Sequence, residues 1–503
     1  MFLLGLDIGS SSVKASLVDA ATGAAFASAT SPKTELPIVA PKPGWAEQDP
    51  ATWWKHVKNA IREILVSSKT DTSAIAAIGI SYQMHGLVIV DRNMRVLRPA
   101  IIWCDSRAVE TGEKAFKSMG PKKCLERFLN SPGNFTASKL KWVQQNEPKI
   151  YKQIYKMMLP GDYIAMKMTS KIKTTYSGLS EGILWDFKSN GLAQTLLSHY
   201  KIAPELIADP VPSFSQQGEL TKQAAEELGL KTGTPITYRG GDQPNNALSL
   251  NVLSPGEIAT TAGTSGVIYG VTDKLVYDPL SRVNTFVHIN HSAKKPRYGV
   301  LLCINGTGIL NSWLKHTIAA HKGSELTYPE MNDLAAATPI GADGLVMLPY
   351  GNGAERSLGN KDLRAAIHGL NFPTHKPGHL FRAAQEGIVF ALNYGLSIMR
   401  GMGMKVRTVR AGHANIFLSP LFCDVFAAMT GATVELCNTD GAQGAARGAG
   451  IGAGIYKNTQ EAFAGLRTVR RFEPDKKLVK AYGEVYETWL QTLKKEMTSC
   501  GYP

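Results

Sequence analysis

The stretch Asp7-Ile8-Gly9-Ser10-Ser11-Ser12-Val13-Lys14 joins two apolar runs, Phe2 to Asp7 and Val13 to Asp19, which read as adjacent strands. A turn of small residues lets successive backbone N–H groups approach an anion, because no side chain stands in the way. An acid at the strand end beside such a turn is suited to hold a divalent cation, directly or through water. Asp7 is therefore a candidate metal ligand, and Gly9, Ser10, Ser11, Ser12 and Lys14 are candidates for binding an anionic cofactor. A β-hairpin turn with an exposed acid accounts for the same residues equally well.

Working outward, the turn Asp19 to Gly23 leads into a third short strand ending near Ala29. A helix is predicted to open at Asp49-Pro50, with Asp49 as N-cap, and Trp54, Val57, Ile61, Ile64 and Leu65 recur along it at helical spacing. Ala74 to Ser81 reads as a buried strand that ends in Tyr82-Gln83-Met84-His85-Gly86, and Leu87 to Val90 as another. In mid-chain the opening plan returns. Ile258 to Ala262, the turn Gly263-Thr264-Ser265-Gly266, and Val267 to Val271 again make strand, small-residue turn, strand. Two copies imply two similar α/β domains facing one another, residues 1–250 and 251–503, with the boundary between Asn246 and Gly256. Two such loops could grip one polyphosphate from opposite sides. Neither carries GxxxxGK[ST], which argues against a P-loop nucleotidase.

Asp242 lies in Arg239-Gly240-Gly241-Asp242-Gln243-Pro244, after two glycines and before a predicted helix. It either caps that helix or acts as a general base at the domain junction, aimed at a substrate hydroxyl. A third glycine cluster, Gly412-His413-Ala414-Asn415, and the run Asp440 to Gly448 suggest tight strand-to-helix turns that admit a flat base or ribose. Close helix packing explains the second of these as well, and better from Gly448 onward.

With 503 residues the chain has room for two to four domains at roughly 150 residues each. A charged fraction of 19% and a hydrophobic fraction of 44% exclude disorder, collagen and coiled coil. Six cysteines without CxxC pairs fit reduced thiols in a cytoplasmic protein and argue against zinc. No membrane span is expected, and the start Met1 to Asp7 lacks the basic residues of a signal peptide. The net charge of +14 is scattered, which favours solvated surface or an anionic small molecule over nucleic acid. A C-terminal helix from Pro474 carries the apolar stripe Leu478, Tyr482, Tyr486, Trp489, Leu493, which suits internal packing and, less well, a homodimer face.

Taken in order, Asp7 to Lys14, Gly241-Asp242, Gly263 to Gly266 and Gly412 to Asn415 resemble the FGGY carbohydrate kinases. Trp45-Ala46-Glu47-Gln48-Asp49-Pro50, Gln83-Met84-His85-Gly86, Arg98-Pro99-Ala100-Ile101-Ile102-Trp103, Phe135 to Leu140, Leu159 to Tyr163 and Leu348-Pro349-Tyr350 are similar to the xylulose-phosphorylating branch of that family. The resemblance runs from Leu3 to about Leu493. It implies two ribonuclease-H-like domains of the actin, hexokinase and Hsp70 type with a cleft between them, and transfer of the γ-phosphate of ATP, with Mg²⁺, to a ketopentose. Carried over by motif, Asp242 would be the base and share the metal with Asp7. Met84, His85, Trp103 and Asp105 would line the sugar site. Gly263 and Thr264 would face the phosphates, and Gly412, His413 and Asn415 the nucleoside. Kinases for ribulose, fuculose or glycerol, and a non-catalytic actin-like nucleotide-binding protein, are the alternatives. The chain departs from the family at Ser10-Ser11-Ser12, Cys104, Gln243 to Asn246 and Ala411 to Ala414, changes that bear on affinity and sugar choice more than on reaction type.

Overall fold

The computed structural model describes residues 1–318, 320–321 and 324–502. The opening hairpin is the centre of a six-stranded sheet. Its strands are β1 (Phe2–Ile8), β2 (Val13–Asp19), β3 (Ala25–Ser31), β4 (Ile75–Tyr82), β5 (Phe214–Glu219) and β6 (Pro235–Gly241), in the order β5-β6-β4-β1-β2-β3. The second sheet holds β7 (Glu257–Ala262), β8 (Gly266–Thr272), β9 (Asn284–Val287), β10 (Tyr298–Ile304), β11 (Thr408–Gly412), β12 (Thr433–Cys437) and β13 (Thr468–Phe472), in the order β9-β10-β8-β7-β11-β12-β13. The series β3-β2-β1-β4-β6 and β10-β8-β7-β11-β12 share one plan. In each, three antiparallel strands are followed by two parallel ones. This is the ribonuclease-H-like arrangement, present twice, and it makes the protein α/β.

Five helices position the site: α1 (Pro50–Ser68), α2 (Asp242–Ser249), α3 (Pro377–Gly401), α4 (Gly441–Gly452) and α5 (Lys476–Ser499). Asp49 caps α1 by accepting from the Ala51 N–H at 2.9 Å, with Pro50 next to it. Alternation along β1 sends Leu4, Leu6 and Ile8 to the side of α1, where they pack with Trp53, Val57 and Ile61. Leu3, on the opposite face, packs with Ala445, Ala446 and Ala449 of α4. A helix from the second half of the chain thus covers the first sheet. The approach is close enough to require glycine: a Cβ on Gly5 would stand 1.9 Å from the Ala442 carbonyl oxygen, and one on Gly79 2.0 Å from that of Ala445. The run Asp440 to Gly448 is therefore a packing helix with its N-terminus at the site. The chain leaves the first sheet through α2 and enters the second at β7, but α4 returns across that division.

The C-terminal helix begins at Lys476, two residues later than Pro474 suggests, because the Asp475 carboxylate accepts from the N–H groups of Lys477 and Leu478. Its stripe is used internally. Tyr482, Trp489 and Leu493 are buried. The Trp489 indole donates to the Met347 carbonyl at 3.0 Å, and the Tyr482 hydroxyl accepts from Arg382 of α3 at 2.6 Å.

Candidate active site

The turn from Gly9, the segment Gln83 to Gly86, Asp242, the segment from His413 to Asn415 and Asp440 follow the ends of β1, β4, β6, β11 and β12. Asp7 pairs across the hairpin with Lys14 and beside Ser81 of β4, whose hydroxyl donates to Asp7 Oδ1 at 2.8 Å. The Gly9 N–H donates to the Ser12 carbonyl at 3.0 Å, so the segment is a hairpin turn. The turn is also pinned from outside: the Leu36 N–H donates to the Ser11 carbonyl at 2.7 Å and Gln48 Nε2 to that of Ser10 at 2.6 Å. Among the described residues no acceptor takes the N–H groups of Ser10, Ser11 or Ser12. The hairpin turn therefore leaves room for the anion-cradle reading as well.

Two adjoining cavities lie near the strands that flank this turn. One, of about 230 Å³, is lined by Asp7, Lys14, Asn246, Gly412, Asn415, Asp440 and Gly441 among others. The other, of about 600 Å³, is lined by Gly263, Thr264, Gly308, Asn311, Ser312, Tyr328, Asn332 and Asn415 among others. They share Ala262 and Asn415. The second-half turn is held open by hydrogen bonds from the Gly308 N–H to the Gly263 carbonyl (2.9 Å) and from the Ile309 N–H to that of Thr264 (3.1 Å). Gly412 and Asn415 face these cavities, whereas His413 is exposed and lines neither. Its N–H donates to the Cys437 carbonyl at 3.0 Å, which fixes the main chain and leaves the ring outside. Asn311, Ser312, Tyr328 and Asn332 sit on helices with no local motif, and only tertiary packing brings them to the cavity.

Asp242 is the first residue of α2, and the N-cap position belongs to Gly241. The capping reading of Asp242 is thereby corrected. Burial raises its carboxyl to about 7, and the Asp7 carboxylate adds to the rise. Asp7 is also pushed up by burial, with Lys14 and the Ser81 hydroxyl opposing. Two neighbouring buried acids of this kind are suited to share a divalent cation. Among the described residues no three His, Cys, Asp or Glu side chains group closely enough to form a metal cage. That fits Mg²⁺, which usually takes one or two carboxylates and completes its shell with water and phosphate.

On the other side of Asp242 lie Met84 and His85. Met84 is buried, and His85 adopts a left-handed backbone, φ 61°. The buried Lys139 ammonium stabilises that turn by donating to the carbonyls of His85 (2.9 Å) and Ile102 (2.8 Å), and burial lowers it to about 7. His85 Nδ1 lies 2.9 Å from the Glu181 carbonyl. A carbonyl only accepts, so Nδ1 carries the hydrogen and Nε2 is left as an acceptor. Burial, helped by Lys139, lowers the imidazole to about 3 and keeps it neutral. The ring is wedged between Phe135 (4.8 Å) and Phe286 (5.5 Å), and the Arg356 guanidinium from the second half lies 5.5 Å over Phe135. Trp103, 43% exposed, forms a lip beside the first turn, its indole 3.4 Å from the Ser10 hydroxyl. Asp105 is placed differently from expectation. It is fully buried, and its carboxylate accepts from Arg107 at 2.9 and 2.6 Å and from the Ala46 N–H at 2.6 Å. An acid so occupied holds the Trp103 loop and has no oxygen left for a sugar. The sequence reading also passed over Lys139, Glu181 and Arg356, whose partners are distant in the chain.

Residues 2–249 match the N-terminal domain, and residues 258–455 the C-terminal domain, of the FGGY family of carbohydrate kinases. The chain belongs to that family, and is an ATP:sugar phosphotransferase. It is 30% identical over 506 residues to a xylulose kinase of Staphylococcus epidermidis, covering 98% of this chain and 97% of that one. It is 29% identical over 500 residues to the xylulose kinase of Bacillus subtilis, covering 97% and 96%. Among solved structures, a xylulose kinase from Brucella ovis superposes with a TM-score of 0.88 at 26% identity, covering 99% of this chain and all of that one. Among the described residues no helix is long and apolar enough to cross a membrane.

Proposed function

We propose that the protein phosphorylates D-xylulose to D-xylulose 5-phosphate, with Asp242 as general base. The observation that carries this reading is the position of Asp242. Its carboxyl, raised to about 7, is buried within reach of the Asp7 charge, and it directly follows Gly241, against which Met84 packs. A base of that strength is ionised often enough to accept a proton and still holds it well, which suits transfer near neutral pH. The similarity to xylulose kinases points to the ketopentose.

His85 Nε2 accepts from a sugar hydroxyl, and Met84 supplies an apolar wall. Asp242 takes the proton of the terminal hydroxyl as that oxygen forms its bond to the γ-phosphorus of ATP and the bond to the β–γ bridging oxygen breaks. The products are ADP, the phosphate ester and a protonated Asp242, which returns its proton to water. The N–H groups of Ser10 to Ser12, the Gly263-Thr264 turn and Lys14 hold the phosphates. Positioning of this kind dominates phosphoryl transfer. Asp7 and Asp242 would hold Mg²⁺, which when bound supplies charge compensation on the phosphates.

ADP release with D-xylulose, D-ribulose, L-fuculose and glycerol tests the reading. D-xylulose should give the highest kcat/KM. A preference for another acceptor would move the protein elsewhere in the family, and no release with any of them would favour a nucleotide-binding protein without sugar turnover.

A further inference from the structure

Glu181 closes the short helix Tyr176–Glu181, and nothing described so far uses its side chain. Its main chain and side chain reach different parts of the site. The carbonyl accepts from His85 Nδ1 at 2.9 Å. Both carboxyl oxygens are buried, and the neighbour they meet is the buried hydroxyl of Tyr82. One of those oxygens lies 2.5 Å from the point where a Cβ on Gly241 would stand, and Met84 Cγ lies 2.6 Å from the same point. The carboxyl therefore fills the space against the Gly241–Asp242 junction, and a Cβ at position 241 would have to displace it. The preceding Ser180 hydroxyl accepts from the Val287 N–H of β9 at 2.9 Å, which ties this helix to the second sheet.

We propose that Glu181 is a positioning residue that holds the His85 ring and the Asp242 main chain in fixed relation and anchors both to the second half of the molecule. The inference rests on the reading of Asp242 as the base. A carboxyl buried in the interior is costly to keep unless its contacts are used. Here it meets the hydroxyl of Tyr82, two residues before Met84, and packs against the Gly241–Asp242 junction. An amide keeps both that polar contact and the shape. A thioether reproduces the shape alone.

Steady-state turnover of the wild type and of E181Q, E181M and E181A on the wild type's best ketose tests this. The Ala and Met variants should lose kcat by about tenfold to hundredfold, the scale on which small misplacements act. Their KM for ATP should stay within about twofold, because the nucleotide cavity lies elsewhere, and E181Q should recover most of the lost kcat. A Met variant as fast as the Gln variant would reduce Glu181 to a space-filler, and an unimpaired Ala variant would remove any role. If the Ala variant does not fold, the comparison of Gln with Met decides. A wild type silent with every ketose overturns the parent reading and this inference together; an active wild type with equal Gln and Met variants overturns the inference alone.

Discussion

Asp242 and Asp7 are two acids that the fold holds partly out of water, and the Asp7 carboxylate makes Asp242 harder still to ionise. The consequence is a pH dependence with a definite sign. As the proposed base, Asp242 must be ionised to accept a proton, so below about 7 the fraction in working form should fall about tenfold per pH unit. The kcat/KM profile at subsaturating MgATP should show that acid limb, and at saturating MgATP the limb should move to lower pH as positive charge beside Asp7 favours the carboxylate. A flat profile from pH 5 to 8 would count against a titrating base. At this scale the sequence offers candidates where polar residues sit in a contiguous motif, as at Asp7, Gly9 to Lys14, Met84-His85 and Gly241-Asp242. It was misleading at Asp105, because the Arg107 that occupies its carboxylate also belongs to the loop being read as a pocket wall. It was silent at Lys139, Glu181 and Arg356. Lys139 acts through His85, 54 residues away, and that contact exists only after folding.

The element that most shapes the site is α4. Asp440 caps it by accepting from the Gln443 N–H at 2.9 Å, and its first residue, Gly441, abuts the Asp7 carboxylate, so the positive end of the helix faces the phosphate cavity. Its seat on β1 and β4 depends on glycines below it. Replacing Gly79 with Val would press a branched side chain against the Ala445 carbonyl oxygen, 2.0 Å from even a Cβ. Urea unfolding should show a loss of about 3 kcal/mol or more, the upper range for overpacking; an unchanged midpoint would mean that the helix shifts freely. Local patterns foretold α1, with its Asp49-Pro50 start, and the stripe of α5. They could not tell which sheet α4 covers, since a Gly- and Ala-rich helix looks the same on either.

The whole molecule is two copies of one sheet plan, joined more intimately than a division near residue 250 suggests. Residues 2–249 alone would lack α4 and uncover Leu3, Val18, Ala77 and Tyr238, all buried in its shelter. That fragment should bind a hydrophobic dye such as ANS and unfold without cooperativity; a cooperatively folded monomer would show that the halves are independent. On the proposed reading, the interlock lets a sugar held by Met84 and His85 in one half meet phosphates held partly by Gly263 and Thr264 in the other, and turnover hinges on the Asp242 carboxylate. The most direct measurement is the kcat of D242N for ADP release with D-xylulose, alongside its equilibrium affinity for the ketose. The account predicts a fall of at least about 10² in kcat, with ketose affinity kept within a few-fold and a melting temperature no lower than the wild type at pH 8, since the buried charge is gone. Turnover within a few-fold of the wild type would contradict it.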